Sequence, residues 1–466
     1  MATPMKIIDD DKIKNELESD LDTSENRVSE ILSKGRELRG LNYHEALILL
    51  GVKDDELENR ILETAKYVKN EIYGNRLVLF APLYISNLCS NDCLYCAFRT
   101  ANKGLVRRAL SQDEIKNETR ALISQGHKRL LLVAGESYGS DGLDYILRSI
   151  ETVYGVHEPQ GNIRRINVNI APLSIEEFGR LNEAQIGTYQ IFQETYHFDT
   201  YKKLHQRGPK SDYDYRLEAI DRAFAAGFHD VGIGVLFGLQ NWRYEVLALL
   251  SHIKHLEDKY GLGPHTISVP RIEPATGSAL SYNPPYPVSD DDFKRIIAVL
   301  RIAVPYTGII LSTRESAKTR RECFELGISQ ISAGSRTNPG GYGEKSKTKG
   351  MEEQFSLGDT RPMMEVIRDM IDARHIPSFC TGCYRLGRVG KDFMELAKPG
   401  LIKSYCLPNA IFTFAEYIHD FGDEDIKNRG LALIDEMIAN EILPEKKQAV
   451  LDTLKNIKNG KRDLYF

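Results

Sequence analysis

At 466 residues, the chain is roughly three times the ~150 residues of a usual domain, and its 42% hydrophobic and 27% charged content is that of a folded chain with a large core rather than a disordered or fibrous one. Lys and Arg (61) nearly balance Asp and Glu (66), and a net charge of −5 lacks the basic excess of a phosphate-backbone binder, so nucleic acid is not an expected partner. The opening MATPMKIIDDDKIKNELE has no apolar secretion-signal core and no run reaches the ~18 apolar residues that cross a bilayer, so no membrane partner and a cytoplasmic location are expected.

Residues 1–76 read as helices with acidic starts and glycine stops, an N-terminal helical extension wrapped around the domain after it. From 77 to 338, short β-branched apolar runs alternate with amphipathic stretches. The predicted strands are 77–86, 129–136, 164–171, 188–196, 230–239, 265–274, 308–315 and 328–335, with capping-box spacing at Ser111/Glu114 and Ser174/Glu177 marking helix starts between them. Eight βα units of this size predict an α/β fold, a (β/α)8 TIM-type barrel whose chemistry sits at the C-terminal strand ends. Glu136, Asn169, Glu194 and Arg314 fall at such ends. The Gly- and Lys-rich 339–354 reads as a linker or mobile loop, and 355–466 as a second, mainly helical domain.

Seven cysteines are too few for a disulfide scaffold in a chain this long, and clustered thiols in a reducing compartment read as metal ligands or redox groups. Cys89, Cys93 and Cys96 form C-x3-C-x2-C directly after the first strand; Cys380, Cys383 and Cys406 form C-x2-C-x22-C; Cys323, inside the helical RRECFELG, reads as an inert core thiol. Three thiolates in one loop suit three corners of a 4Fe-4S cubane and leave the fourth iron open. A zinc site is the alternative; it prefers four protein ligands, and the first triplet has no fourth in good spacing. For the second triplet, whose C-x2-C pair is common in zinc sites, His375 is the candidate fourth ligand.

The first motif, CSNDCLYC, resembles that of the radical S-adenosylmethionine (SAM) superfamily. The resemblance implies a 4Fe-4S cluster whose open iron chelates SAM, an electron from the cluster releasing a 5′-deoxyadenosyl radical. Residue by residue, it places Tyr95 against the adenine and the backbone of Ala134-Gly135-Glu136 at the SAM amino group. It makes Glu194 a ribose-binding acid and Arg216 the partner of the SAM carboxylate, with Asn169 beside them. Read without it, each is also an ordinary buried tyrosine, turn glycine or surface ion. Gly232, Gly234 and Gly238 permit close backbone approach and signify little more.

Over nearly its whole length, from EIYGNR (71–76) through GPHTISVPR (263–271) and CLPNAI to the terminal RDLYF, the chain resembles the HydG family, radical SAM tyrosine lyases that mature [FeFe]-hydrogenase. The resemblance implies cleavage of the Cα–Cβ bond of L-tyrosine to p-cresol and dehydroglycine. The fragment then becomes CO and cyanide at a second, C-terminal iron-sulfur cluster carrying a labile extra iron with cysteine, giving an iron synthon for the hydrogenase. It also implies His265 as ligand of the labile iron, Arg314 as the grip on the tyrosine carboxylate, and other hydrogenase maturation proteins as partners. Two positions depart from the family pattern: Glu273 stands where arginine is expected, and Arg336 where cysteine is expected. Because the charges depart together, they are expected to form a compensating pair at the cavity wall. Two other functions stay open: a tyrosine or other aromatic amino-acid lyase of the thiamine-precursor type that releases only an imine, and a non-catalytic iron-sulfur carrier.

Overall fold

A computed structural model of the chain describes residues 6–343 and 352–466; the expected linker falls outside the described residues over 344–351, as does the N-terminal extension over 1–5. Four helices open the chain: α1 (Asp10–Glu18), α2 (Glu25–Arg36), α3 (Tyr43–Gly51) and α4 (Asp55–Tyr73). Each starts at an Asp, Ser or Asn whose side chain accepts from a backbone N–H of the first turn, satisfying a donor that the helix leaves free. The apolar face of α4 packs on the barrel helix Asp290–Ala303, which is how the extension wraps the barrel.

Eight parallel strands come next: β1 (Arg76–Ser86), β2 (Arg129–Ala134), β3 (Arg165–Asn169), β4 (Tyr189–Glu194), β5 (Val231–Val235), β6 (Thr266–Ser268), β7 (Gly308–Leu311) and β8 (Ile328–Ser332). Each pairs with the next, and β8 returns to β1 with Val78 opposite Gln330, which closes the (β/α)8 barrel. Both predicted capping boxes form. Strands β5 and β6 are shorter than their apolar runs, because Leu236, Phe237 and Val269 are buried by loops that continue the core beyond the ladder.

A ninth strand, β9 (Ile376–Ser378), was not expected from the sequence. It pairs with Arg76–Val78, and since Val78 faces Gln330 of β8 on its other side, β9 occupies the same edge of β1 that β2 takes further along. The C-terminal segment is thereby stitched to the N-terminal end of the barrel, and helices Lys403–Phe421, Glu424–Asn440 and Pro444–Lys458 pack behind it. Among the described residues no helix is long and apolar enough to cross a membrane.

Before that strand, the segment entering the C-terminal unit is clamped by a buried ion pair, Asp359 with Arg320, their side chains 1% and 0% exposed, and Arg361 adds a second contact to Asp359 at 2.8 Å. Removing the acid leaves a buried guanidinium without a counter-charge. Asp359→Ala is therefore expected to lower stability by about 3–5 kcal/mol, read as a lower denaturant midpoint. An unchanged midpoint would show that the pair contributes nothing.

Candidate active site and metal centres

The loop carrying the first three thiols is built by its neighbours. Asp92 N–H donates to Arg207 O (3.0 Å), Leu94 N–H to Leu204 O (3.0 Å), and Arg99 pairs with Asp92 at 2.7 Å, so 89–99 runs alongside 204–207. Two glycines make room for it. A Cβ on Gly135 would stand 2.3 Å from Leu88 O, and one on Gly208 (φ +88°) 2.4 Å from Asn91 Oδ1. Cys89, Cys93 and Cys96 thus border one cavity at the C-terminal strand ends. Burial pushes all three thiols up, Cys96 to about 11, so a cation must bind to draw them out as thiolates. Cys96 Sγ also accepts the Phe98 N–H at 3.4 Å.

Among the described residues no three of His, Cys, Asp and Glu converge as a mononuclear metal site requires. Three thiols with no fourth protein ligand beside them suit a cubane with one open iron better than the four-ligand set that zinc prefers.

The remaining predicted residues of this end share the same cavity: Tyr95, Gly135, Glu136, Asn169, Glu194 and Arg216. Glu136 and Glu194 meet Arg216 and a cation that the sequence reading missed, Lys210. Lys210 Nζ lies 2.6 Å from Glu194 and 4.0 Å from Glu136, and Arg216 lies 3.0 Å from Glu136 and 3.8 Å from Glu194. Two buried cations and two partly buried anions cancel in charge, which makes their removal from water tolerable. Burial alone would raise the Glu136 carboxyl, but Arg216 and Lys210 outweigh it and hold it below its usual range. Asn91 Nδ2 donates to the other Glu136 oxygen at 2.7 Å and ties the quartet to the cysteine loop. Glu194 adopts φ +71° at a register shift of β4, a left-handed backbone that aims its carboxylate inward. Tyr95 is buried and donates to His205 Nε2 at 2.8 Å; His205 Nδ1 lies 2.9 Å from Tyr201 O, which sets that tautomer, and burial keeps the imidazole neutral.

Arg314 lies across the same cavity. Its chain neighbour Glu315 is taken by Arg271, whose Nε stands 3.0 Å from Oε2. Among the described residues no carboxylate lies within ion-pairing distance of Arg314, which stacks on Phe355 at 3.3 Å. The expected Glu273–Arg336 pair does not form. Arg336 is exposed and turns to Ser335 O, while Glu273 faces Glu315, Arg314 and Arg271 from outside the cavity lining, and burial with the nearby Glu315 raises its carboxyl to about 7.

A second cavity opens at the opposite, N-terminal end of the strands, where β9 has brought Cys380 and Cys383, and the first turn of helix Lys403–Phe421 brings Cys406. The Cys383 thiol hydrogen-bonds Cys406, and with Arg76 and Arg388 facing it this holds the Cys406 thiol down against its burial. Gly382 N–H donates to Cys380 Sγ at 3.3 Å. His265 lies in this cavity, neutral through burial, its Nδ1 3.6 Å from Asp230 Oδ2 and its ring 4.3 Å from that of Phe393. His375, the candidate fourth zinc ligand, is engaged elsewhere, with Nε2 3.1 Å from Lys69 Nζ and Nδ1 2.7 Å from Ala373 O. Cys323 is fully buried in the core.

One layer of side chains divides the cavities. Along β1 Val78 borders the lower and Phe80 the upper, along β7 Gly308 and Ile310, along β8 Gln330 and Ser332. A step of two residues on a strand is roughly 7 Å.

Residues 83–250 match the radical SAM superfamily and residues 268–374 the biotin and thiamin synthesis associated domain. The 2-iminoacetate synthase of Salmonella typhimurium is 32% identical over 69% of this chain and 82% of its own length, and that of Escherichia coli 33% over 65% and 77%. A crystal structure of HydG, a maturase of the [FeFe]-hydrogenase, superposes with a TM-score of 0.95 at 47% identity, covering 99% of this chain and all (100%) of that one. HydG from Carboxydothermus hydrogenoformans gives 0.84 at 40% identity over 96% and 97%. The chain belongs to the HydG family of radical SAM enzymes, relatives of 2-iminoacetate synthase.

Proposed function

We propose that the protein is a tyrosine lyase that makes the iron synthon for [FeFe]-hydrogenase assembly, cleaving L-tyrosine to p-cresol and dehydroglycine at the upper cavity and converting the fragment to CO and cyanide at the lower one. The observation that carries this reading is the pair of three-thiol sites at opposite ends of one closed barrel, a single side-chain layer apart. Cys89, Cys93 and Cys96 would hold the cluster, which with SAM would supply radical chemistry at this end. Glu136, Glu194 and Arg216 hold SAM, with Gly135 giving it backbone access, Asn169 beside it and Tyr95 at the adenine. Lys210 joins the quartet, its ammonium 2.6 Å from Glu194 and 4.0 Å from Glu136. Arg314, with no carboxylate within ion-pairing distance among the described residues, grips the tyrosine carboxylate. Dehydroglycine hydrolyses in water, so passing it through the barrel interior protects it. At the lower cavity, Cys380, Cys383 and Cys406 hold the second cluster. His265 ligates the labile iron, which leaves with CO, cyanide and a cysteine as cargo for other maturation proteins.

Reduced, iron-reconstituted protein incubated with SAM and tyrosine should yield p-cresol, CO and cyanide. p-Cresol without CO would favour the lyase that releases only an imine, and a protein that binds clusters but never cleaves SAM would be a carrier. The carrier reading leaves Arg314 and the ion quartet without a task. Arg314→Ala should raise the KM for tyrosine roughly 10- to 100-fold, as expected for losing a charge-assisted hydrogen bond of about 1.5–3 kcal/mol, with SAM affinity unchanged. An unaltered KM would remove Arg314 from the substrate site.

A further inference from the structure

The segment beginning at residue 352 crosses the upper cavity and places Gln354 against the first cysteine loop. Its backbone is pinned on both sides: Gln354 N–H donates to Thr337 O at 2.9 Å, and Gln354 O accepts from N–H of Ala97, the residue after Cys96, at 3.3 Å. Its side-chain amide bridges two groups. Nε2 lies 3.7 Å from Cys96 Sγ, and Oε1 accepts from the Tyr84 hydroxyl at 2.7 Å. Tyr84 stands on β1, its ring packed edge-on to Phe98 at 6.1 Å, and is itself buried, so its hydroxyl has a fixed direction. With that hydroxyl donating to Oε1, Nε2 is the end of the amide that faces the sulfur. Turned over, Gln354 would set its carbonyl oxygen against the sulfur of a thiolate; as it stands, the hydroxyl meets the acceptor and the sulfur meets the donor. Cys89 is approached by backbone donors, from Asn91 and Glu136, whereas Cys96 receives both a backbone donor, Phe98, and this side-chain one.

We propose that Gln354 is a positioning residue of the first cluster: its amide donates to the Cys96 sulfur and raises the cluster's reduction potential, and Tyr84 holds the amide in that orientation. The proposal rests on the reading that Cys89, Cys93 and Cys96 carry the SAM cluster. Adding an electron increases negative charge on the cluster and its thiolates, and an N–H donor stabilises that state more than the oxidised one. The donor therefore makes the cluster easier to reduce, which is the step SAM cleavage waits on. The same segment sets Phe355 under Arg314, so the ring beneath the carboxylate grip and the donor on the cluster ligand are adjacent residues of one strap.

The test is a redox titration of the reconstituted full-length protein, following the EPR signal that responds to added SAM. Gln354→Leu should lower the midpoint by up to a tenfold change in the reduction equilibrium, about 59 mV for one electron, and Gln354→Glu should lower it further by setting an anion beside the sulfur. Tyr84→Phe, which frees the amide to turn, should shift it the same way by less. An unchanged midpoint in Gln354→Leu with the SAM-responsive signal intact overturns the proposal. If Gln354→Leu assembles no cluster, Tyr84→Phe decides, and an unshifted midpoint there overturns it equally. A parent protein with no SAM-responsive signal would instead overturn the assignment of the first triplet.

Discussion

Cys96→Ser is expected to abolish SAM cleavage, taking 5′-deoxyadenosine below detection, while iron at the C-terminal site is retained. Serine conserves shape and removes the thiolate. Burial already raises the Cys96 thiol to about 11, and a hydroxyl, far less acidic, gives up its proton only at greater cost in the same surroundings. Two thiols cannot replace three, since the loop offers no fourth ligand: His205, which meets Cys93 through a backbone bridge, spends its ring on Tyr95 and Tyr201. The far cysteines stand at the opposite strand ends, beyond the layer of Phe80, Ile310 and Ser332, so their iron should be untouched. Iron counting and product chromatography on one preparation check both halves. Parent-level 5′-deoxyadenosine from this variant would mean that the first triplet is not the SAM site.

Cys383→Ser should do the converse, preserving SAM cleavage and p-cresol formation while CO and the iron-bound product fall more than about tenfold, the loss that only ~1.4 kcal/mol would cause. Cys383 borders the lower cavity with Cys380 and Cys406, so its loss removes one of the three proposed ligands. His265→Ala should weaken retention of the labile iron and spare the first cluster. Normal CO from Cys383→Ser, or loss of SAM cleavage with its first cluster intact, would rule out two sites working in series.

Local physics made much of this legible in the sequence. Strand positions came from β-branched runs, helix starts from Ser111/Glu114 and Ser174/Glu177, and both thiol triplets from spacing alone, because each signal lies within a few residues of chain. Strand ends were less legible: the run over 230–239 stays apolar past Val235 because loop residues Leu236 and Phe237 are buried too, and burial leaves the same composition in strand and loop. Only the tertiary structure decided which distant groups meet. Periodicity says nothing of the edge of β1 on which β9 docks, so the sequence could assign Cys380, Cys383 and Cys406 to a later domain but not to the N-terminal mouth of the barrel beside His265. Lys210 between Glu136 and Glu194, and Gln354 on Cys96, depend on loops whose course is set by backbone bonds to 204–207 and Thr337. Glu273 and Arg336 show the converse: two charges that depart from a pattern together need not touch, because the strand ends that carry them turn one toward Arg314 and the other to solvent.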